Sequence, residues 1–436
     1  MISFDTDNQG VNLAPIYNSL SIINNEIADL YSRISTLTPG SQNYLESYDG
    51  ISSVSPFIMY NVLNNVEQDV IDAESKKAYY NVENDFSSIL INHVSHINID
   101  ANRILNNTFS IISDGFLKCC NFSNNNCLGL YNAMIEARDI RTNSFSRCNI
   151  YGGTVWNNKF SYLANVICDN FGKNTLYKEM NVNCNEFSSN TIFNIDCGVI
   201  KHMSMGLNSF QGGSVLNING RDMAFNTFNM INNINIQNHF YTGCSFSDIS
   251  CLKENGIMNS INTYSSIENL NQDYNLIKQC SYNNINLANI KCNVFEQNYD
   301  IGTHDIYNLT CNAMNSNTLY DFKSVNILAD TISNLNIQSF TDLKIKARNV
   351  SEISISGGVR ASLRLNYYSK ITVKNISTLY LNKFIDSSMI SWESITAFDF
   401  KQIDGLTSAS RALKTDLGIP SSMIYINGLP WGVAVY

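Results

Sequence analysis

Charge, proline and histidine are scarce in this 436-residue chain. Asp, Glu, Lys and Arg together make up 15% of it, and there are 5 Pro and 5 His. So little charge, beside 44% apolar residues, excludes a disordered polyelectrolyte. No stretch of about 18 uninterrupted apolar residues occurs, so membrane insertion is not expected. The opening MISFDTDNQG lacks the basic start and apolar run of a signal peptide, which predicts folding in a cytoplasm. A net charge of -9 argues against nucleic acid as a partner. Glycine-rich phosphate loops, nucleophile elbows and metalloprotease motifs are all missing, and no cofactor is expected.

Cysteine is absent from the first 118 and the last 125 residues, and the twelve between Cys119 and Cys311 form no CxxC pair. That spacing speaks against a zinc ribbon or a disulfide framework and predicts buried free thiols. His93 and His96 form a lone His-x-x-His. On a three-fold axis such a ring could hold a metal, but no third ligand is evident, and polar surface or bend residues are the simpler reading.

Asn, in contrast, is abundant, with 66 copies. Leu13, Ile16, Leu20, Ile23, Ile27, Leu30, Ile34 and Leu37 alternate spacings of three and four. This heptad seam predicts a helix that buries one narrow stripe against other helices, and mixed Leu and Ile at both core positions fits a trimer. Pro39-Gly40 stops it. Residues 40–55 read as a hinge. Ile58, Val62, Val66 and Val70, four apart, predict a second helix over 56–80.

From about residue 100 the pattern changes. Asn, a small or polar residue and an aromatic recur at Asn107-Thr108-Phe109, Asn143-Ser144-Phe145 and Asn185-Glu186-Phe187. Phe210, Phe228, Phe246, Tyr264 and Tyr282 then stand 18 residues apart. Four more columns share that period. They are Asn208, Asn226, Cys244, Asn262, Cys280, Asn298; Ile231, Ile249, Ile267, Ile285; Leu216, Ile234, Leu252, Leu270, Ala288; and Asp222, Phe240, Met258, Leu276, Val294. The aromatic column and the last two are six residues apart, which suggests three short strands per turn. Self-similarity of this kind marks a solenoid. Its turns would stack about 4.8 Å apart, aromatics and Ile inside, with Asn hydrogen-bonding along a bend. Leu335, Ile353 and Ile371 resume the period, with alternating pairs such as Leu343 and Ile345. Residues 299–330 and those before 208 fit poorly, as insertions at bends would explain. About 15 turns are expected. A left-handed triangular helix, a right-handed parallel β-helix and a helix wound from three chains all fit.

Thr407–Leu417 reads as a short helix ended by Gly418 and Pro420, and Met423–Tyr436 as a hairpin turning at Asn427-Gly428. The expected fold is therefore mainly β. A parallel β-helix shaft (91–400) follows an N-terminal arm (1–12), an α-helical coiled coil (13–38) and a hinge with a second helical segment (39–90), and a small cap (401–436) closes it. For glycan cleavage, which needs two carboxylates about 5 to 9.5 Å apart, the grid offers Glu254 with Asp273 and Asp248 with Glu268. Carboxylates are common on solenoid faces, and no enzyme activity is expected. Trp156, Trp392 and Trp431 could stack on sugars but read more simply as core or cap residues.

Arm, heptad helix, Asn-rich solenoid and apolar cap together resemble the tail fibres and tailspikes of tailed bacteriophages. The likeness is architectural, covers residues 13–436, and rests on the Leu13–Leu37 heptads and the Phe210–Tyr282 columns. It implies a homotrimer in the virion, assembled in the host cytoplasm. The N-terminal end would be held by tail or collar proteins and the shaft would meet host surface polysaccharide. Glycan-cleaving members of that family make a degrading tailspike the alternative, and a bacterial adhesin a more distant one.

Overall fold

The computed structural model describes residues 3–4, 58–59, 62–67, 70–382, 387–400, 418–426 and 429–430. The chain is a parallel β-solenoid of about 17 turns with roughly 18 residues per turn. It divides into two compact units, Met1–Ser204 and Met205–Tyr436. Consecutive turns of one chain pair with each other, so the described residues wind singly rather than from three intertwined chains. Among them no helix is long and apolar enough to cross a membrane. The heptad residues Leu13, Ile16, Leu20, Ile23, Ile27, Leu30, Ile34 and Leu37, the hinge at 40–55 and the helix expected at 407–417 lie outside the described residues.

The second helix expected over 56–80 is not a helix. Ile58–Met59 pairs antiparallel with Ser3–Phe4, Val62–Glu67 lies parallel to the strand that follows, and Val70–Ser87 is already a full solenoid turn. Val62 pairs with Asn81 and Val66 with Phe86. The four-residue spacing suits a helix face, but the residues carrying it are β-branched. They lose side-chain freedom in a helix and fit a pleated strand. The edge of the next turn supplies the backbone partners, so the solenoid starts near residue 62 rather than 91.

In unit 2 the regular turns are Ser209–Ala224, Thr227–Thr242, Ser245–Ser260, Thr263–Lys278 and Ser281–Glu296, 16 residues each. The aromatic column from Phe210 to Tyr282 is buried, with rings stacked 4.7 to 5.2 Å apart between neighbouring turns. The Ile231 and Leu216 columns are buried too. The fourth expected column is not core. Phe240 is 39% exposed and Asp222 is exposed, while the next residue of each turn, Met223, Tyr241 or Ile277, points inward. The six-residue apolar period thus holds on two sides of a turn and slips by one on the third. Further along, both members of the expected pairs, such as Leu335 with Ile337 and Leu379 with Leu381, are buried.

From Ser88 to Ser316 each turn closes at a corner where one residue has positive φ, and in most of them an Asn follows. In unit 1 the corner residues are Asn106, Asn124, Thr142, Asn157, Lys173 and Ser189, ahead of Asn107, Asn125, Asn143, Asn158, Asn174 and Asn190. In unit 2 Leu207, Phe225 and Ile261 adopt this conformation, which is uncommon for any residue but Gly and an outlier for a β-branched one. The buried Asn side chains hold the corner. Asn107 N and Nδ2 both donate to Asn125 Oδ1 (2.9 and 3.0 Å), and Asn107 Nδ2 also donates to Phe86 O at 3.0 Å. The same set repeats at Asn125 and Asn143. The third sequence motif, Asn185-Glu186-Phe187, is misplaced in this scheme. Asn185 faces solvent, and the ladder runs through Asn174 and Asn190.

Ladder partners are 18 residues apart up to Asn143, then 15, 16 and 16, and later 19 between Asn298 and Asn317. The poor fit before 208 therefore comes from shortened turns, not insertions. The poor fit after 299 comes from one added residue.

Cys244 and Cys280 occupy ladder positions. Asn226 N meets Cys244 Sγ at 3.3 Å, whereas Cys244 N donates to Asn262 Oδ1 at 2.6 Å. Sulfur is a weak acceptor. Cys244→Asn should raise stability by about 1 kcal/mol, and Asn262→Ala, which strands a buried N–H, should lower it by about 1 to 3 kcal/mol. Urea unfolding of the purified chain measures both. An Asn262→Ala protein as stable as the parent would show that the ladder does not hold the corner.

Candidate functional site

The structure separates the carboxylates that the 18-residue grid brought together. Glu254 and Asp273 lie on adjacent strands, one residue out of register, since Glu254 pairs with Gln272 and Asn255 with Asp273. Side chains alternate across a strand. Glu254 is 1% exposed inside the solenoid, and Asp273 is outside, 3.6 Å from Lys291 Nζ. The backbone wall stands between them, so that pair does not form. Asp248 is a bend residue with φ 53°, exposed like Glu268, and the buried Ile249–Ile267 rung lies between their columns. His96 is taken up locally, with Nδ1 3.0 Å from Asp114 Oδ2 and Nε2 3.2 Å from Asn98 Nδ2. His93 lies in the strand Leu90–Leu105, paired with Ile111. Among the described residues no cluster of three or more His, Cys, Asp or Glu is placed to hold a metal. All twelve cysteines are free and nine are buried.

Glu254 belongs to a core column. Ile218, Ile236, Glu254, Gln272, Ile290 and Leu309 pair in that order from turn to turn, all buried. Two aliphatic rungs are thus replaced by an acid and an amide. On the adjoining side of the interior the aromatic column changes from Phe246 to Tyr264 and Tyr282 in the next two turns. Tyr264 Oη donates to Glu254 Oε2 (3.0 Å), as does Gln272 Nε2 (2.8 Å), and Tyr282 Oη donates to Gln272 Oε1 (2.9 Å). Asn259 Nδ2 donates to Tyr264 Oη at 2.8 Å. Glu254 Oε1 and the Tyr241 hydroxyl make no hydrogen bond of normal geometry, although the hydroxyl lies close enough to favour the ionised acid. Burial pushes the Glu254 carboxyl up to about 7, against the opposing pull of its Gln272 and Tyr264 hydrogen bonds.

Asp300 and His304 are buried in the same unit, with His304 Nε2 2.8 Å from Asp300 Oδ1. Ile285 N donates to His304 Nδ1 at 3.2 Å, while His304 Nε2 and the Asp300 carboxylate make no hydrogen bond of normal geometry despite their closeness. Burial raises the Asp300 carboxyl and His304 opposes it. Fully enclosed, neither acid can meet a polymer outside. These groups tie turns together and carry no external chemistry. The linked changes, Ile to Glu/Gln and, one turn further on, Phe to Tyr, were the available signal, and periodicity alone passes over them.

Contact with an external molecule falls to the outer faces. In unit 2 a cleft is lined by Asn308, Asn326, Lys344, Lys346, Ser362 and Arg364, and an adjoining one shares Ser362 and Arg364 and adds Tyr380 and Asp399. Asn326 Nδ2 donates to Asn308 Oδ1 at 2.9 Å and Asn308 Nδ2 to Asn289 Oδ1 at 3.0 Å, an outward amide ladder that ends where Lys344 takes the next place. In unit 1 a second cleft crosses the shortened turns. Glu136, Tyr151, Ile167 and Asn183 form one rail, and Arg138, Gly153, Asp169 and Asn185 the other. Tyr151 is 55% exposed.

Comparison with family models, with curated proteins and with solved structures finds no match.

The raised Glu254 carboxyl predicts a pH dependence. Folded, the group keeps its proton up to about 7, while the unfolded chain releases it near 4.5. Stability therefore falls as pH rises from about 4.5 to about 7, by about 3 kcal/mol, and then stays level. Glu254→Gln cannot ionise. Its stability relative to the parent should grow across that window and plateau above it, measured by urea unfolding at pH 4, 6 and 8. A constant difference would mean that the acid is not held protonated.

Proposed function

We propose that this chain is the subunit of a homotrimeric virion spike of the tail-fibre or tailspike kind, held by tail or collar proteins and presenting its solenoid to host surface glycans. The observation that carries the reading is the unit 2 cleft, where an outer column presents one polar or aromatic side chain per turn, Asn308, Asn326, Lys344, Ser362 and Tyr380. Such spacing, about 4.8 Å between turns, suits a repeating polymer better than a compact substrate. Three copies held by the heptad seam Leu13–Leu37 would bind weakly one by one and tightly together. The mechanism is avidity.

Light scattering after gel filtration tests the assembly. Three times 49.0 kDa is expected for the full chain, with loss of that mass in Ile23→Asp/Ile27→Asp. A monomeric parent would remove the trimer and with it the avidity.

A second reading, glycan cleavage, draws on the unit 1 cleft, where Glu136 and Asp169 line one groove beside an exposed Tyr151. The two acids are two turns and two residues apart, on the order of 12 Å between backbones. Side chains reaching toward each other would approach the roughly 9.5 Å limit of an inverting pair. This reading expects reducing ends to be released from a host polysaccharide, and the release to vanish in Glu136→Gln and in Asp169→Asn. No release across a panel of bacterial capsules leaves the binding role alone.

A further inference from the structure

We infer that the unit 2 cleft binds an anionic glycan, a chain of sugars bearing carboxylate or phosphate groups. The inference rests on the glycan-binding reading above and narrows it to a ligand chemistry.

The charge pattern carries it. Of the twelve described Lys and Arg of unit 2, seven stand against a carboxylate, as Lys323 does against Asp305 and Arg360 against Asp342. The five without an ion pair are Lys253, Lys344, Lys346, Arg348 and Arg364. Four of these fall within 21 consecutive residues, a span that holds one carboxylate, Glu352, already engaged by Lys370. In a chain of net charge -9, uncompensated cations gathered on one face are not a background property.

The fold concentrates them further. Arg360 reaches Asp342 and Lys370 reaches Glu352, each 18 residues back, so this stretch keeps the 18-residue turn. Lys346 therefore lies one turn from Arg364 in one outward column, about 4.8 Å away along the backbone, and Lys344 lies two residues from Lys346 on the same strand. All three line the cleft. On one side it continues into Asn308 and Asn326, whose amides can bond sugar hydroxyls. On the other, Arg364 adjoins Tyr380, 38% exposed, whose ring can lie against a pyranose face; the one carboxylate lining that side is Asp399, which makes no ion pair with Arg364. A neutral polysaccharide would leave three cations unanswered. A bare polyanion would make little use of the amides and the tyrosine. A chain of sugars with acidic groups uses both.

Isothermal titration of the full-length protein at low and physiological salt tests this with oligoglucuronate, polyglycerol phosphate, neutral dextran and duplex DNA of matched length. Saturable binding of one or both acidic ligands is expected, with dextran at least tenfold weaker. Lys346→Gln/Arg364→Gln should weaken the acidic ligand at least tenfold, and Lys253→Gln, an unpaired cation away from the cleft, should not. The sites are exposed, and an unchanged urea midpoint shows that the variants fold. Uronate and phosphate arms tell which acid is preferred. Equal binding of dextran would overturn the anionic inference and leave the glycan-binding reading standing. No binding of any sugar ligand would overturn both. DNA bound more tightly than either acidic ligand, or equal losses in the Lys253 variant, would mean general polyanion attraction and overturn the site.

Discussion

At each corner from Ser88 to Ser316 the chain reverses through a residue of positive φ, and the next backbone N–H turns into the interior. Left unpaired there it would cost on the order of 1 to 3 kcal/mol. The Asn of the following turn accepts it, as Asn125 Oδ1 does from Asn107 N. In a typical rung the same amide uses both its hydrogens, one toward the next Asn and one toward a carbonyl of the turn before. No other side chain of that size supplies two donors and a carbonyl acceptor at once. With the corner fixed, the strands fall into parallel register, and the aromatic and aliphatic columns follow. Even Leu207, Phe225 and Ile261 are held in a conformation they would otherwise avoid.

Interior polarity elsewhere obeys a stricter rule. Where Glu254 and Gln272 enter a column of Ile and Leu, two Phe positions become Tyr, and their hydroxyls reach the new polar groups. The compensation is incomplete: burial outweighs the hydrogen bonds that favour the charged form, and the carboxyl answers by holding its proton. The outer face works under the opposite condition. There half of the described cations of unit 2 are neutralised one turn away, and Lys344, Lys346 and Arg364 stand out because their columns offer them Asn, Thr and Leu instead of acids.

Much of the architecture was legible because identical positions stack. The Asn208 column, the Phe210 column and the paired positions from Leu335 to Leu381 are each single physical environments repeated, so residue type repeats with them. Three features escaped that logic. Turns of 15 and 16 residues break a fixed grid while leaving every Asn in the ladder, so counting fails where hydrogen bonding does not. The Phe240 column is apolar yet faces outward, because the bend on that side shifts the inward position by one residue. Val62 and Val66 carry a helical spacing, but an open strand edge decides their conformation. The external cleft was invisible for another reason. Lys344, Lys346 and Arg364 are ordinary surface residues in sequence, and only the 18-residue turn puts them side by side.

The hydrogen bonds that join one turn to the next, backbone and Asn amide alike, point along the axis of each unit. Tension along that axis loads them lengthwise, a rung at a time, while a load across the axis is shared by every strand of a turn. Mechanical strength along the axis is therefore set by the weakest rung, not by the sum. In unit 2 the side-chain contribution to that strength thins where sulfur replaces an amide, at Cys244 and Cys280, and beyond Asn317, where Leu335, Ile353 and Ile371 take the Asn positions.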